Sequence, residues 1–285
     1  MLTAADVDAA GARLAGIVEM SPLQPCGRLS GASGLRVYLK REDLQAVRSY
    51  KLRGAFNLMA QLTSAERTAD VVCASAGNHA QGVAFAGRRL GISTRIYLPG
   101  ATPRQKRDRI AAHGGGLAKL ILTGGTYDDA AAAARADAHS SGATLVPPFD
   151  DPRTIAGQGT IGAEILAALA GPPDAVVVPV GGGGLMSGLI AYLRERAPAT
   201  MVAGVEPAGA ASMTAALAAS GPVTLEEIDP FVDGAAVRRA GQAPFDIISR
   251  SRHVMLTADE GAVCTASPMR IEPISPGTPA YAYLT

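Results

Sequence analysis

The sequence predicts an α/β fold in two units. From residue 71 onward, short apolar runs and helical patterns alternate at close intervals, the pattern of a parallel sheet with helices on its faces. The run 175–180, Ala-Val-Val-Val-Pro-Val, is nearly continuous in apolar residues and predicts a strand buried on both faces. Pro147 and Pro148 interrupt the alternation, and the boundary between the units falls at 144–151.

Each element follows from local pattern. Alanines and leucine at helical spacing predict a first helix within 6–19. Pro22, Pro25 and Gly27 read as a turn, and Arg36-Val37-Tyr38-Leu39-Lys40 alternates as a strand does. A helix begins at Lys51, with Leu52, Phe56, Leu58 and Met59 as its apolar set. Strands are expected at 71–74, 94–98, 119–122 and 144–146, with helices at 79–90, 104–113 and 127–140 between them. Pro99-Gly100, Gly114-Gly115-Gly116 and Gly142 punctuate that series. The second unit reads as helix 154–170, strand 175–180, a helix to Arg196, strand 201–205, helix 212–220, strand 253–256 and a helix from Ala258. Prolines 268, 273, 276 and 279 crowd the end, so 267–285 is expected to be an irregular tail.

Composition removes several function classes. With 285 residues, 48% of them hydrophobic, the chain can bury a large core. A net charge of +1 and the absence of tryptophan leave neither a basic stripe nor a stacking platform, so no nucleic-acid partner is expected. Cys26, Cys73 and Cys264 are odd in number and far apart. They suit reduced thiols of a cytoplasmic protein, and no metal site is expected. The N-terminal stretch lacks the basic start and apolar run of a signal peptide, and no window reaches a membrane span.

The chemistry starts at Lys51. The chain holds four lysines, Lys40, Lys51, Lys106 and Lys119, against 22 arginines. A lysine where arginine is the default cation points to amine chemistry, since only an amine forms a Schiff base. The turn Ser75-Ala76-Gly77-Asn78-His79 lies between a strand and a helix, where free N–H groups at the helix start suit a carboxylate. Asn78 can cap that helix or donate to a ligand. Gly181, Gly182, Gly183 and Gly184 follow the apolar strand and expose successive N–H groups, a cradle for a phosphate. Their spacing is not GxGxxG, and no GKS or GKT follows. His113, His139 and His253 are isolated and read as structural, Asp128 and Asp129 as dipole compensation at a helix start, and Glu206 and Asp233 as supporting residues near the mouth of the site.

The motifs SYKLRGAFN at 49–57, SAGNHAQGVA at 75–84 and PVGGGGLMSG at 179–188 occur in that order. Together they resemble the β-family (fold type II) pyridoxal-phosphate enzymes, and among them threonine dehydratases, over residues 21–265. The resemblance implies two open parallel-sheet lobes with the cofactor cleft between them. Residues 1–44 would begin the larger lobe, 45–146 would form the smaller, and 147–266 would continue the larger without completing it. Lys51 would hold pyridoxal 5′-phosphate through its amine, and Asn78 would bond the ring 3′-oxygen. Gly181, Gly182, Gly183, Gly184 and Leu185 would bind the phosphate. Ser75, Gly77 and His79 would line the substrate carboxylate. Tyr50 would pack near the ring, and Arg53 would anchor the local backbone. The implied reaction is dehydration and deamination of the small amino acid L-threonine to 2-oxobutanoate and ammonia, a step toward isoleucine. A cytoplasmic homo-oligomer is expected.

After Ala266 the family's next strand, its glutamate-proline-alanine-glycine motif and the serine that meets the pyridine nitrogen are not recognisable. Two alternatives therefore stand beside an active threonine dehydratase. One is a truncated, catalytically impaired relative whose larger sheet exposes an apolar face. The other is an enzyme of the serine dehydratase or serine racemase type, because one methyl group is worth only about 1–3 kcal/mol.

Overall fold

The computed structural model describes residues 2–266. Helix α1 (Ala4–Leu14) opens on a capping box in which Thr3 and Asp6 exchange side-chain and backbone hydrogen bonds. It is shorter than its sequence pattern, ending just before Gly16 at φ 72. An antiparallel ribbon follows, β1 (Leu23–Pro25) and β2 (Tyr38–Lys40), with α2 (Gly27–Ser33) in the connection. The glycines and serines of α2 look like turn residues in the sequence, which hides this helix.

The first unit runs α3 (Lys51–Ala60), α4 (Ser64–Thr68), β3 (Val71–Ala74), α5 (Asn78–Leu90), β4 (Thr94–Leu98), α6 (Arg104–Gly114), β5 (Ala118–Leu122), α7 (Tyr127–Ser141) and β6 (Thr144–Leu145). Its four strands are parallel, in the order β5-β4-β3-β6. β3 is central and wholly buried. Val83 and Ala84 of α5 pack with Val71, Cys73 and Ile96, while Ala130, Ala131 and Ala134 of α7 pack with Val72 and Ala74. The small alanines let α7 lie close to the sheet.

The second unit runs α8 (Pro152–Ala168), β7 (Ala175–Pro179), α9 (Gly184–Arg196), β8 (Met201–Pro207), α10 (Ser212–Ala218), α11 (Gln242–Ile248), β9 (His253–Ala258) and α12 (Glu260–Ala266). Its three strands are parallel, in the order β7-β8-β9. One core joins Val178, Val180 and Val202 to Met186 and Leu189 of α9, Ile155 of α8, Val7 of α1 and Ile248 of α11. The other sheet face differs from the sequence expectation. Val177 and Leu256 remain 64% and 51% exposed, and Val254 is exposed beside them, so β7 is not buried on both faces. Among the described residues nothing covers that side, which is why an apolar run alternates in burial. The tail at 267–285 lies outside the described residues.

The cysteines differ sharply in environment. Cys73 is enclosed in β3, where burial pushes its thiol far above the ordinary range, and Cys26 is also buried. Cys264 is exposed. A thiol reagent is expected to label Cys264 first and Cys73 only after unfolding, as peptide mass spectrometry would show.

Candidate active site

The two glycine-bearing loops each leave the C-terminal end of a parallel strand, β3 and β7, the end at which open α/β sheets bind their ligands. β3 hands over to Ser75-Ala76-Gly77. Gly77 takes the N-cap position of α5 at φ −121 and ψ −144, and its N–H donates to Ser75 Oγ at 3.1 Å. Asn78 is thus the first helical residue rather than the cap, and its side chain makes no hydrogen bond to another described residue. The N–H groups of Asn78, His79 and Ala80 likewise find no acceptor among the described residues.

The His79 ring belongs to the wall. It is 4% exposed, and its Nε2 lies 2.8 Å from the Val146 carbonyl oxygen. Burial pushes its pKa down to about 4; the Val146 carbonyl opposes the shift, and the charge of Lys51 adds to it. The ring is therefore neutral at pH 7. Because the unfolded chain protonates His79 first, stability is full above pH 6.5 and falls as the pH drops toward 4. A loss of about 2 kcal/mol between pH 7 and 5 is expected from this group. Urea titrations at the two pH values check it, with His79→Asn removing that part of the dependence.

Lys51 is the first residue of α3, half-buried, with its Nζ 5.1 Å from the centroid of the Tyr50 ring. A Cβ on Gly82 would stand 3.1 Å from the Lys51 carbonyl carbon and oxygen. Only a residue without a side chain lets α5 lie this close to the backbone that carries the lysine.

The second loop leaves β7 and enters α9. Gly183 sits at φ 93, a left-handed conformation, and a Cβ there would meet Met213 Cε at 2.6 Å. A Cβ on Gly182 would enter the Phe149 ring at 2.3 Å. The N–H groups from Gly181 to Met186 take no acceptor among the described residues. Ser187 steadies the turn by donating to the Gly183 oxygen at 2.9 Å, and Leu185 is buried in the core.

One side chain shows that the pieces converge. Gln158 on α8 is fully buried. Its Oε1 lies 2.6 Å from the Cβ position of Gly184, and its Nε2 lies 3.1 Å from that of Gly54, one turn beyond Lys51. The lysine helix and the glycine loop thus face each other across a single amide. Nε2 donates to the Pro148 oxygen at 3.1 Å, while Oε1 has no partner.

Arg53 points elsewhere, into a buried cluster with Glu42 and Glu164. Sequence reasoning missed those two carboxylates, Gln158 and Phe149, because their partners are far away in the chain. The Pro147-Pro148-Phe149 stretch is the one local signal, an aromatic among only five phenylalanines set right after a predicted strand. Glu206 lies at the C-terminal end of β8 and holds Met213, whose side chain lies against Gly183. Its carboxylate is fully buried and accepts from the Met213 and Thr214 N–H groups at 2.7 and 2.9 Å, starting α10. Asp233 pairs with Lys106 at the surface, and Asp129 completes the capping box of α7. Among the described residues no cluster could hold a metal ion, and no helix is long and apolar enough to cross a membrane.

A lysine helix packed close to two uncapped glycine loops on a fold of this kind points to a class of cofactor-dependent enzymes. The profile of the pyridoxal-phosphate dependent enzyme family matches residues 14–269, and the chain belongs to that family, whose cofactor is pyridoxal phosphate. Among curated relatives it is 60% identical over 267 residues to the L-threonine dehydratase biosynthetic IlvA of Mycobacterium tuberculosis, covering 93% of this chain and 62% of that protein. It is 54% identical to the protein of that name from Corynebacterium glutamicum, with the same coverage. The chain thus spans about 62% of the length of these relatives. Among solved structures, the processed form of threonine deaminase isoform 2 from Solanum lycopersicum superposes with a TM-score of 0.87 at 41% identity, over 93% of this chain and 75% of that one. Maize serine racemase gives 0.88 at 26% identity, over 94% and 80%. The fold is the type II architecture of these enzymes.

Proposed function

We propose that this chain is a pyridoxal-phosphate-dependent threonine dehydratase, converting L-threonine to 2-oxobutanoate and ammonia. The approach of the helix that begins at Lys51 to the glycine loop, through Gly54 and Gly184 on either side of Gln158, carries the reading. The residues fit the cofactor group by group. Free N–H groups from Gly181 to Met186 suit a phosphate dianion held on the positive end of α9. The unpaired Asn78 amide suits the ring oxygen, and the Lys51 amine suits an aldehyde. The Ser75 hydroxyl with the Gly77 turn and the open N–H groups of α5 suit the substrate carboxylate.

When bound, pyridoxal phosphate supplies an electron sink for the charge left by a departing α-proton. Lys51 would hold the cofactor through its amine, and the same amine, when free, would accept the substrate's α-proton as a base. Neutral His79 adds no second positive charge beside that amine. Tyr50 supplies an aromatic wall next to it. Residues 1–44 and 147–266 would form the larger lobe and 45–146 the smaller. We further place the protein in the cytoplasm as a homo-oligomer acting on a free amino acid, with neither nucleic acid nor membrane as partner. The near-neutral charge supports the last point, the absence of a nucleic-acid partner.

The apolar face that the described residues leave open on β7-β8-β9 favours a second reading, a catalytically impaired relative. Purified protein supplied with the cofactor decides between them. A visible absorbance band that borohydride removes, with 2-oxobutanoate formed from threonine faster than pyruvate from serine, is the expected result. A band without turnover supports the impaired relative. D-serine formation points to a racemase, and no band at all overturns the proposal.

A further inference from the structure

Helix α8 separates the two halves of the site, and both neighbouring helices lie on it backbone to backbone. A Cβ on Gly157 would stand 2.4 Å from the Arg53 carbonyl oxygen and 2.9 Å from the Gly54 Cα, so α3 rests directly on α8. A Cβ on Gly159 would stand 2.8 Å from the Gly188 oxygen, and one on Gly188 would stand 2.5 Å from the Ile155 oxygen, so α9 does the same. Backbone contacts do not yield as side chains do. The separation of Lys51 from the glycine loop is therefore set by two glycine crossings, with Gln158 between them.

The glycines set how closely α3 approaches but leave its rotation and slide along α8 free. Arg53 supplies that restraint. It is 1% exposed and grips two carboxylates with both edges of its guanidinium. Nη1 and Nη2 donate to Glu164 on α8 at 2.6 and 2.9 Å, and Nε and Nη2 donate to Glu42 at 2.8 Å each. Nη1 also reaches Thr160 Oγ1 at 3.1 Å. Lys40 completes the set, donating to Glu164 at 2.5 Å, so two cations face two carboxylates. Lys51 and Arg53 are two residues apart, about 200° around the helix, and leave it on opposite sides. The Lys51 amine lies against the Tyr50 ring while Arg53 is pinned on the other side of the helix.

We propose that Arg53, held by Glu42 and Glu164, is a positioning residue that sets the reach of the Lys51 amine toward a group bound at Gly181 to Gly184. This rests on the pyridoxal-phosphate reading above. The plain alternative is an ion cluster that stabilises the fold and nothing more.

Two ligands separate the cases. Pyridoxal phosphate engages both the loop and the lysine, whereas 4-deoxypyridoxine 5′-phosphate has no aldehyde and engages the loop alone. Dissociation constants for both are measured in the full chain, in Arg53→Lys, which keeps the charge but loses the fork, and in Glu164→Gln, which keeps the shape. Asp137→Asn, in the Arg95–Asp137 pair of the first unit, is the control for destabilisation alone. Pyridoxal phosphate is expected to weaken on the order of tenfold relative to the deoxy ligand in both test variants, while the control leaves the ratio unchanged even as its Tm falls. Parallel weakening of both ligands, or of neither, overturns the positioning role. If Arg53→Lys does not fold, Thr160→Val strips one acceptor from the guanidinium and must move the ratio in the same direction. Wild-type protein that attaches no cofactor at Lys51, read by borohydride trapping, ends the functional reading and this proposal with it. Attachment with an unmoved ratio ends this proposal alone.

Discussion

Lys51→Ala is expected to lose the visible cofactor band and to reduce threonine turnover on the order of 10³-fold or more, since nucleophile and base vanish together. The fold should survive. Lys51 is half-buried at the first position of α3, and alanine suits a helix start. Because the N–H groups at Gly181 to Met186 are untouched, the variant should still bind a phosphorylated pyridine that has no aldehyde. Lys51→Arg keeps the charge over the Tyr50 ring but cannot form the covalent link, and should be as inactive as the alanine variant. Stopped assays of 2-oxobutanoate, with an absorbance spectrum of each variant, check both. Full turnover in either one would remove Lys51 from the chemistry.

The second large effect is on stability. Glu42→Ala leaves Arg53 with Glu164 as its remaining carboxylate in a site where Arg53 and Glu42 are each 1% exposed. It also removes the acceptor of the Ser21 hydroxyl, which now donates at 2.5 Å. Breaking a buried pair from one side costs about 3–5 kcal/mol, because the charge left behind cannot return to water. For a domain of this size that lowers the melting temperature by roughly 10 °C. Scanning calorimetry of the variant checks it. A shift of only a degree or two would mean that water enters the cluster. Exposed pairs such as Arg104–Asp108 should show nothing comparable when broken, being 87% and 68% exposed.

The sequence shows most of the elements because the alternation of apolar runs and glycine punctuation is local. β4 is found to the residue, and α5, α6 and α9 to within one or two at their ends. The helices it hides are short. α2, α4 and α11 span seven, five and seven residues, too few for a helical period to stand out, and Gly31 in α2 and Pro244 in α11 mimic turns. The proposed site loops and Lys51 stand out in the sequence because a bare main chain and a lone amine require particular residue types. What joins them was not. Gln158 lies 107 positions beyond Lys51 and reads as one polar residue in a helix. Glu42 and Glu164 are identified only by the guanidinium they share. The apolar run of β7 was misread because burial depends on what lies above a strand, and a strand's own residues do not state it.

The side of the β7-β8-β9 sheet that the described residues leave open has a consequence for handling the protein. Among the described residues nothing covers Val177, Val254 and Leu256, and apolar surface in water gains most from clustering in warm solution and in salting-out ions. Turbidity in ammonium sulfate should therefore appear at lower salt at 30 °C than at 5 °C, and clear on chilling. A single Leu256→Lys substitution, placing a charge in the middle of that patch, should raise the salt required.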